Sequence, residues 1–205
     1  MRVKWTKDVS LTDLLNLRDE LGKEFDLQID ETPRLYKGGV PPSWVRFLAE
    51  ADWYIKVLGG YAALYVAEIV KEAAKETWKS RSKIISGAVG AGNRIKQFAI
   101  ALANFRNHTA PETLLEIVVP FPDDYDGTIL DIAGNDVDEL AVQIAAFVHH
   151  LPALQALIRD EGLTRTTIAT GIQLELLPDL SLKASWQDGS LKWQTRLLTF
   201  PDDGH

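Results

Sequence analysis

The stretch LSLKASWQDGSLKWQTRLL, residues 180–198, decides the reading of the fold. Two runs of alternating apolar and polar residues flank Asp188-Gly189, a dipeptide that favours a two-residue type I′ hairpin because both of its residues tolerate positive φ. Such a turn sets Trp186 opposite Leu191, Ala184 opposite Trp193 and Leu182 opposite Thr195. One face then collects Leu182, Ala184, Trp186, Leu191 and Trp193. The other collects Ser181, Lys183, Ser185 and Gln187 with Ser190, Lys192, Gln194 and Arg196. A sheet with one apolar and one wet face is covered on one side. The hairpin therefore reads as scaffold, with the helix at Val137–Leu151 as its nearest apolar cover.

Upstream of the hairpin, Thr167–Leu177 reads as a third strand. Before it, Asp136 and Glu139 have capping-box spacing, and Val137, Leu140, Ile144, Val148 and Leu151 line one face of a helix. Pro152 is expected to kink that helix, since it lacks a donor and crowds the preceding turn, and Gly162 to end it. Thr113–Val119 is β-rich, and Asp126-Gly127 makes a turn before a strand at Thr128–Ile132. At the other end, Met1–Trp5 and Leu27–Ile29 read as short strands around a helix begun by Ser10, whose capping partner is Asp13. Glu31–Pro42 is a loop by its prolines and glycines.

Between these β-rich ends, Ser43–Asn107 reads as mostly helical. Trp44, Phe47, Leu48, Ala51 and Tyr54 keep helical spacing, Gly59-Gly60 interrupts it, and Leu64, Ala67, Val70, Ala74 and Trp78 form a second stripe. The expected class is α+β: a mostly antiparallel sheet from the N-terminal strand and the C-terminal strands, packed against the helical middle section and one helix of the C-terminal half. The length of 205 residues fits a single domain over 1–205, with a subdivision into a mostly helical 1–110 and a β-α-β part at 111–205.

Composition narrows the function classes. With 46% apolar and 25% charged residues the chain has globular composition. The absence of cysteine excludes disulfides, thiolate metal sites and a cysteine nucleophile, and fits a reducing compartment. No apolar signal segment follows Met1, so a soluble, cytoplasmic protein is expected. The net charge of −7 argues against general nucleic-acid binding. Its distribution is uneven: residues 71–106 carry eight Lys/Arg against Glu72 and Glu76, and residues 111–140 carry nine Asp/Glu and no base. Opposed blocks either pair within a fold or present surfaces of opposite sign.

Four stretches have the composition of candidate sites. Gly87, Gly90 and Gly92, followed by Arg94 and Lys96, could bind an anion if a glycine loop leads into a helix N-terminus. The order departs from the P-loop, with Asn93-Arg94 where Lys-Ser/Thr belongs, so a small-residue stripe for close helix packing is the better reading. Trp53–Val70 holds only Lys56 and Glu68 as charges, but its uninterrupted run suits a buried core helix more than a membrane span. The acids between Asp123 and Glu139 fail the EF-hand pattern, because Pro122 and Ala133 fall where the first and twelfth ligands belong. His149-His150 are adjacent, so they cannot chelate one ion from a helix face, and no catalytic motif accompanies them.

No catalytic residue, metal site or cofactor is therefore expected. The reading that remains is a non-enzymatic interaction or regulatory module with a protein partner, offering Trp44, Trp53 and Tyr54 as aromatic contacts, since such residues dominate interface hot spots. Nucleotide or nucleic-acid binding through Gly87–Lys96 is the first alternative. A membrane-acting effector using Trp53–Val70 is the second. Function, on this reading, lies in the helical middle.

Overall fold

The computed structural model describes residues 1–22, 25–30, 33, 43–48, 91–123 and 127–199. In chain order these form β1 (Arg2–Trp5), α1 (Leu11–Leu21), β2 (Gln28–Ile29), β3 (Trp44–Leu48), α2 (Ala91–His108), β4 (Leu114–Val118), β5 (Thr128–Ile132), α3 (Val137–Asp160), β6 (Ile172–Leu176), β7 (Leu182–Gln187) and β8 (Trp193–Leu198). Three helices and one eight-stranded sheet, ordered β2-β1-β3-β4-β5-β6-β7-β8, make an α+β arrangement among the described residues.

The sheet is mixed, which corrects the expectation of a mostly antiparallel one. β1 and β2, β3 and β4, and β5 and β6 pair in parallel, while the other neighbours are antiparallel. Geometry supplies the reason. Parallel neighbours need a long crossover, and α1 lies between β1 and β2 in the chain, α2 between β3 and β4, and α3 between β5 and β6. At the start of the β5–β6 pair the backbones come close. The Ile172 N–H donates to Gly127 O at 2.5 Å, and a Cβ on Gly171 would sit 2.7 Å from that oxygen. Glycine is required there.

Trp44–Leu48, expected to be helical, is a strand near the middle of the sheet. Val45 pairs with Trp5 and Leu115, and Phe47 with Val3 and Ile117, on the face that carries the helices. Trp44 and Leu48 are buried as well, on the opposite face. A strand buried on both faces loses its alternation and cannot be told from a helix by periodicity.

α2 packs between α1 and α3, and Phe98 joins this layer to the sheet. Its ring stacks on Phe25 at 5.6 Å and meets the edge of Phe47 at 5.9 Å. α1 starts as expected, with Ser10 Oγ accepting the Asp13 N–H. α3 starts with Asp136 accepting from Asp138 and Glu139 N–H. It runs through Pro152 to Asp160, so the proline does not end it, and Gly162 follows with φ 60°. Its buried residues include Leu140, Ile144, Phe147, Leu151 and Leu154. α3 is long and apolar enough to cross a membrane and is the one such helix among the described residues, but its apolar side belongs to the core.

Candidate functional site: the open edge of the sheet

The turn at Asp188 differs from expectation, and the difference creates the site. Asp188 N–H donates to Lys192 O at 3.0 Å and Leu191 N–H to Asp188 O at 2.9 Å, enclosing the three-residue loop Gly189-Ser190-Leu191. Leu191 takes the left-handed conformation, φ 62°. Three-residue hairpin loops characteristically join a turn to one left-handed residue. The Asp188 carboxylate holds the loop by accepting from Ser190 and Lys192 N–H, from Ser190 Oγ and from Gln194 Nε2, at 2.9–3.1 Å. The Gln194 bond first, then those from the turn, lower its pKa to about 2.

A longer loop changes the register. Gln187 pairs with Trp193, Trp186 with Gln194, Ser185 with Thr195 and Ala184 with Arg196. The expected pairing is displaced by an odd number of residues, which turns every β8 side chain to the other face. Leu182, Ala184 and Trp186 enter the core as expected, and α3 contacts β7 and β8. Trp193, placed by its sequence pattern on that core face, instead shares the open face with Thr195 and Leu197. It is 57% exposed and Leu197 53%. On the helix side, Arg196 donates to Glu161 Oε1 at 2.7 and 3.2 Å and lies over the Trp186 ring at 5.9 Å.

Five large hydrophobic side chains are exposed among the described residues, and three of them, Leu191, Trp193 and Leu197, fall within seven positions. β8 is also the end strand of the sheet order. Singly exposed apolar residues are ordinary, whereas a group of them on an edge strand is a contact surface or an aggregation hazard. β8 carries neither proline nor bulge to blunt pairing, and Arg196, its one charged residue, is already tied to Glu161.

A second feature lies across the middle of the open face. Lys4, Arg46, Glu116 and Asp131 are direct cross-strand neighbours in one row. Arg46 Nε donates to the Glu116 carboxylate, and its guanidinium lies 4.3 Å from the Trp44 ring centre. Glu116 is buried, and desolvation raises its pKa against the opposing pull of Arg46, with Asp131 adding to the rise. The row offers a buried ion pair capped by an aromatic ring. Removing one partner of such a pair is costly because the other is stranded.

Between α1 and α2, a cleft of about 370 Å³ is lined by Asp13, Asn16, Glu20, Asn104 and His108. Glu20 accepts from Asn104 Nδ2 at 2.5 Å, and His108 Nδ1 bonds Asn104 O at 2.7 Å. No group of three His, Asp or Glu able to hold a metal occurs among the described residues.

The residues singled out from sequence are scattered. Gly87, Gly90, Trp53, Tyr54 and the Trp53–Val70 segment lie outside the described residues. Gly92, Arg94 and Lys96 lie at the start of α2, with Arg94 and Lys96 half-buried. Trp44 is 7% exposed, beneath Arg46. His150 is buried, its Nε2–H donating to Leu180 O at 2.9 Å. Sequence reasoning missed the outward turn of Trp193 and Leu197 and the row through Arg46 and Glu116. The first could have been found by treating Asp188–Lys192 as the closing pair. The second was hidden by the helical reading of Trp44–Leu48.

Family models, curated proteins and solved structures compared with this chain give no match.

Proposed function

We propose that this chain is a non-enzymatic interaction module that docks a polypeptide partner on β8. One observation carries the reading: Trp193 and Leu197 project from the same face of an edge strand, with Leu191 exposed beside them. An edge strand supplies backbone hydrogen bonds, and side chains at alternate positions supply selectivity; strand addition uses both. Tryptophan at the centre of such a patch is a common hot spot. The aromatic contact proposed is thus Trp193 rather than Trp44, whose ring is enclosed.

The test is crosslinking of the full chain in extract of its native host, beside a W193D/L197D variant whose circular dichroism and melting match the parent. A discrete adduct, self or foreign, attached through residues 191–197 and lost from the variant is the expected result. Adducts unchanged by the variant, or attached only elsewhere, overturn the proposal. Truncating a hot-spot residue removes about 2 kcal/mol or more of binding, a loss of roughly thirtyfold in affinity.

A further inference from the structure

We infer that the partner docked on β8 is a second copy of this chain, paired antiparallel about a twofold axis at Thr195; this rests on the interaction reading of β8 given above. The backbone sets the parity. In an antiparallel pair, residues alternate between those bonded to the neighbouring strand and those whose N–H and C=O point away. Asp188 N–H bonds Lys192 O, so the Asp188–Lys192 pair is of the bonded kind. Gln187 O instead accepts from Ala169 N–H on the far side of β7, at 2.9 Å. Counting from either, Trp193, Thr195 and Leu197 direct their backbone groups outward from the sheet edge. The same three residues carry the open-face side chains.

A twofold pair of edges must therefore match these odd-numbered residues with one another. Four such registers overlap through at least three strand residues, and overlap and charge together separate them. Centring on Leu197 pairs only residues 196–198 and leaves Trp193 without a strand partner. Centring on residue 194 sets Lys192 against Arg196 of the second copy, twice. Centring on residue 196 sets Arg196 against itself. Like charges directly opposite are destabilising. Centring on Thr195 pairs Trp193 with Leu197 and Leu197 with Trp193 on the open face, Gln194 with Arg196 on the helix face, and leaves no like-charged pair. The sequence about Thr195 is thus complementary to itself, as a twofold interface requires. Thr195 O accepts from its own Arg196 Nη1 at 3.2 Å, and a carbonyl oxygen has a second lone pair for the other copy.

The cysteine-free chain makes the register directly readable. Bonded antiparallel partners have Cα atoms about 5.5 Å apart, within the disulfide range of roughly 4.4–6.8 Å. Oxidised T195C should form a covalent dimer. T199C, whose two copies would be eight residues apart along the pairing and so about 27 Å distant, should not. Sedimentation equilibrium of the unmodified chain should give twice the chain mass. T195P removes an outward N–H and spares the β7–β8 ladder, so it should be a folded monomer. A single chain mass at every concentration, or crosslinking at 199 without 195, overturns the inference. If T195P fails to fold, the T195C and T199C pair still decides. A chain that stays monomeric but loses a foreign adduct on W193D/L197D removes the second copy and leaves the interaction reading intact.

Discussion

Two leucines share a left-handed backbone and should respond oppositely to the same substitution. Leu191 has φ 62° and is 67% exposed; Leu180 has φ 65° and is buried. Glycine relieves the conformational cost at both. At Leu191 little packing is lost, and L191G should raise stability by about 1 kcal/mol. At Leu180 the lost burial exceeds that gain, and L180G should cost about 2 kcal/mol. Urea midpoints of the two variants check both signs. Leu180 also aims its carbonyl at His150, whose burial holds the imidazole below its usual range against the pull of that bond and of Asp179. With the folded value lowered, the unfolded chain binds the proton first as pH falls. Stability should therefore decline as pH drops below about 7, through the unfolded value near 6.5 toward the lower folded one. H150Q should flatten that decline in urea midpoints measured across the same window. At this scale the caps were legible: Ser10 and Asp136 act within a few residues of themselves. Leu191 was not, because a leucine at positive φ contradicts its own preference and is held there by bonds to Asp188.

Among the elements, α2 is the one the core depends on most evidently. Phe98 lies fully buried between Phe25 of the α1–β2 connection and Phe47 of β3. F98A should cost about 3–5 kcal/mol, and I100A, two residues on and partly exposed, much less; chemical unfolding of the two compares them on one helix. Elements with one wet face were readable from their pattern: β1, β7 and α1 alternate or repeat as their burial demands. β3 was not, since Trp44, Val45, Phe47 and Leu48 are all buried and no polar stripe marks a period. α3 shows the complementary case. Its pattern was plain, and the helix runs through Pro152 to Asp160. The β8 surface was half legible: Leu191 and Trp193 were read as part of an apolar row and Leu197 was not, and a three-residue loop in place of a two-residue one turned Trp193 outward.

For the whole molecule, the strand inventory was largely readable and the pairing was not, because parallel neighbours are joined across helices and leave no turn signature. That topology has a consequence in time. Trp186 and Gln194 are partners only eight positions apart, and their hairpin can close on the microsecond scale. Arg46 and Glu116, partners in the middle of the same sheet, are 70 positions apart. Closing the longer loop costs about 2 kcal/mol more in chain entropy, and distant pairings slow folding generally. The sheet should therefore assemble from its C-terminal margin, with the β3–β4 junction completed late. The exposed edge at β8 should form before the middle of the sheet does, leaving an unpaired strand open to mispairing until the rest of the chain has folded.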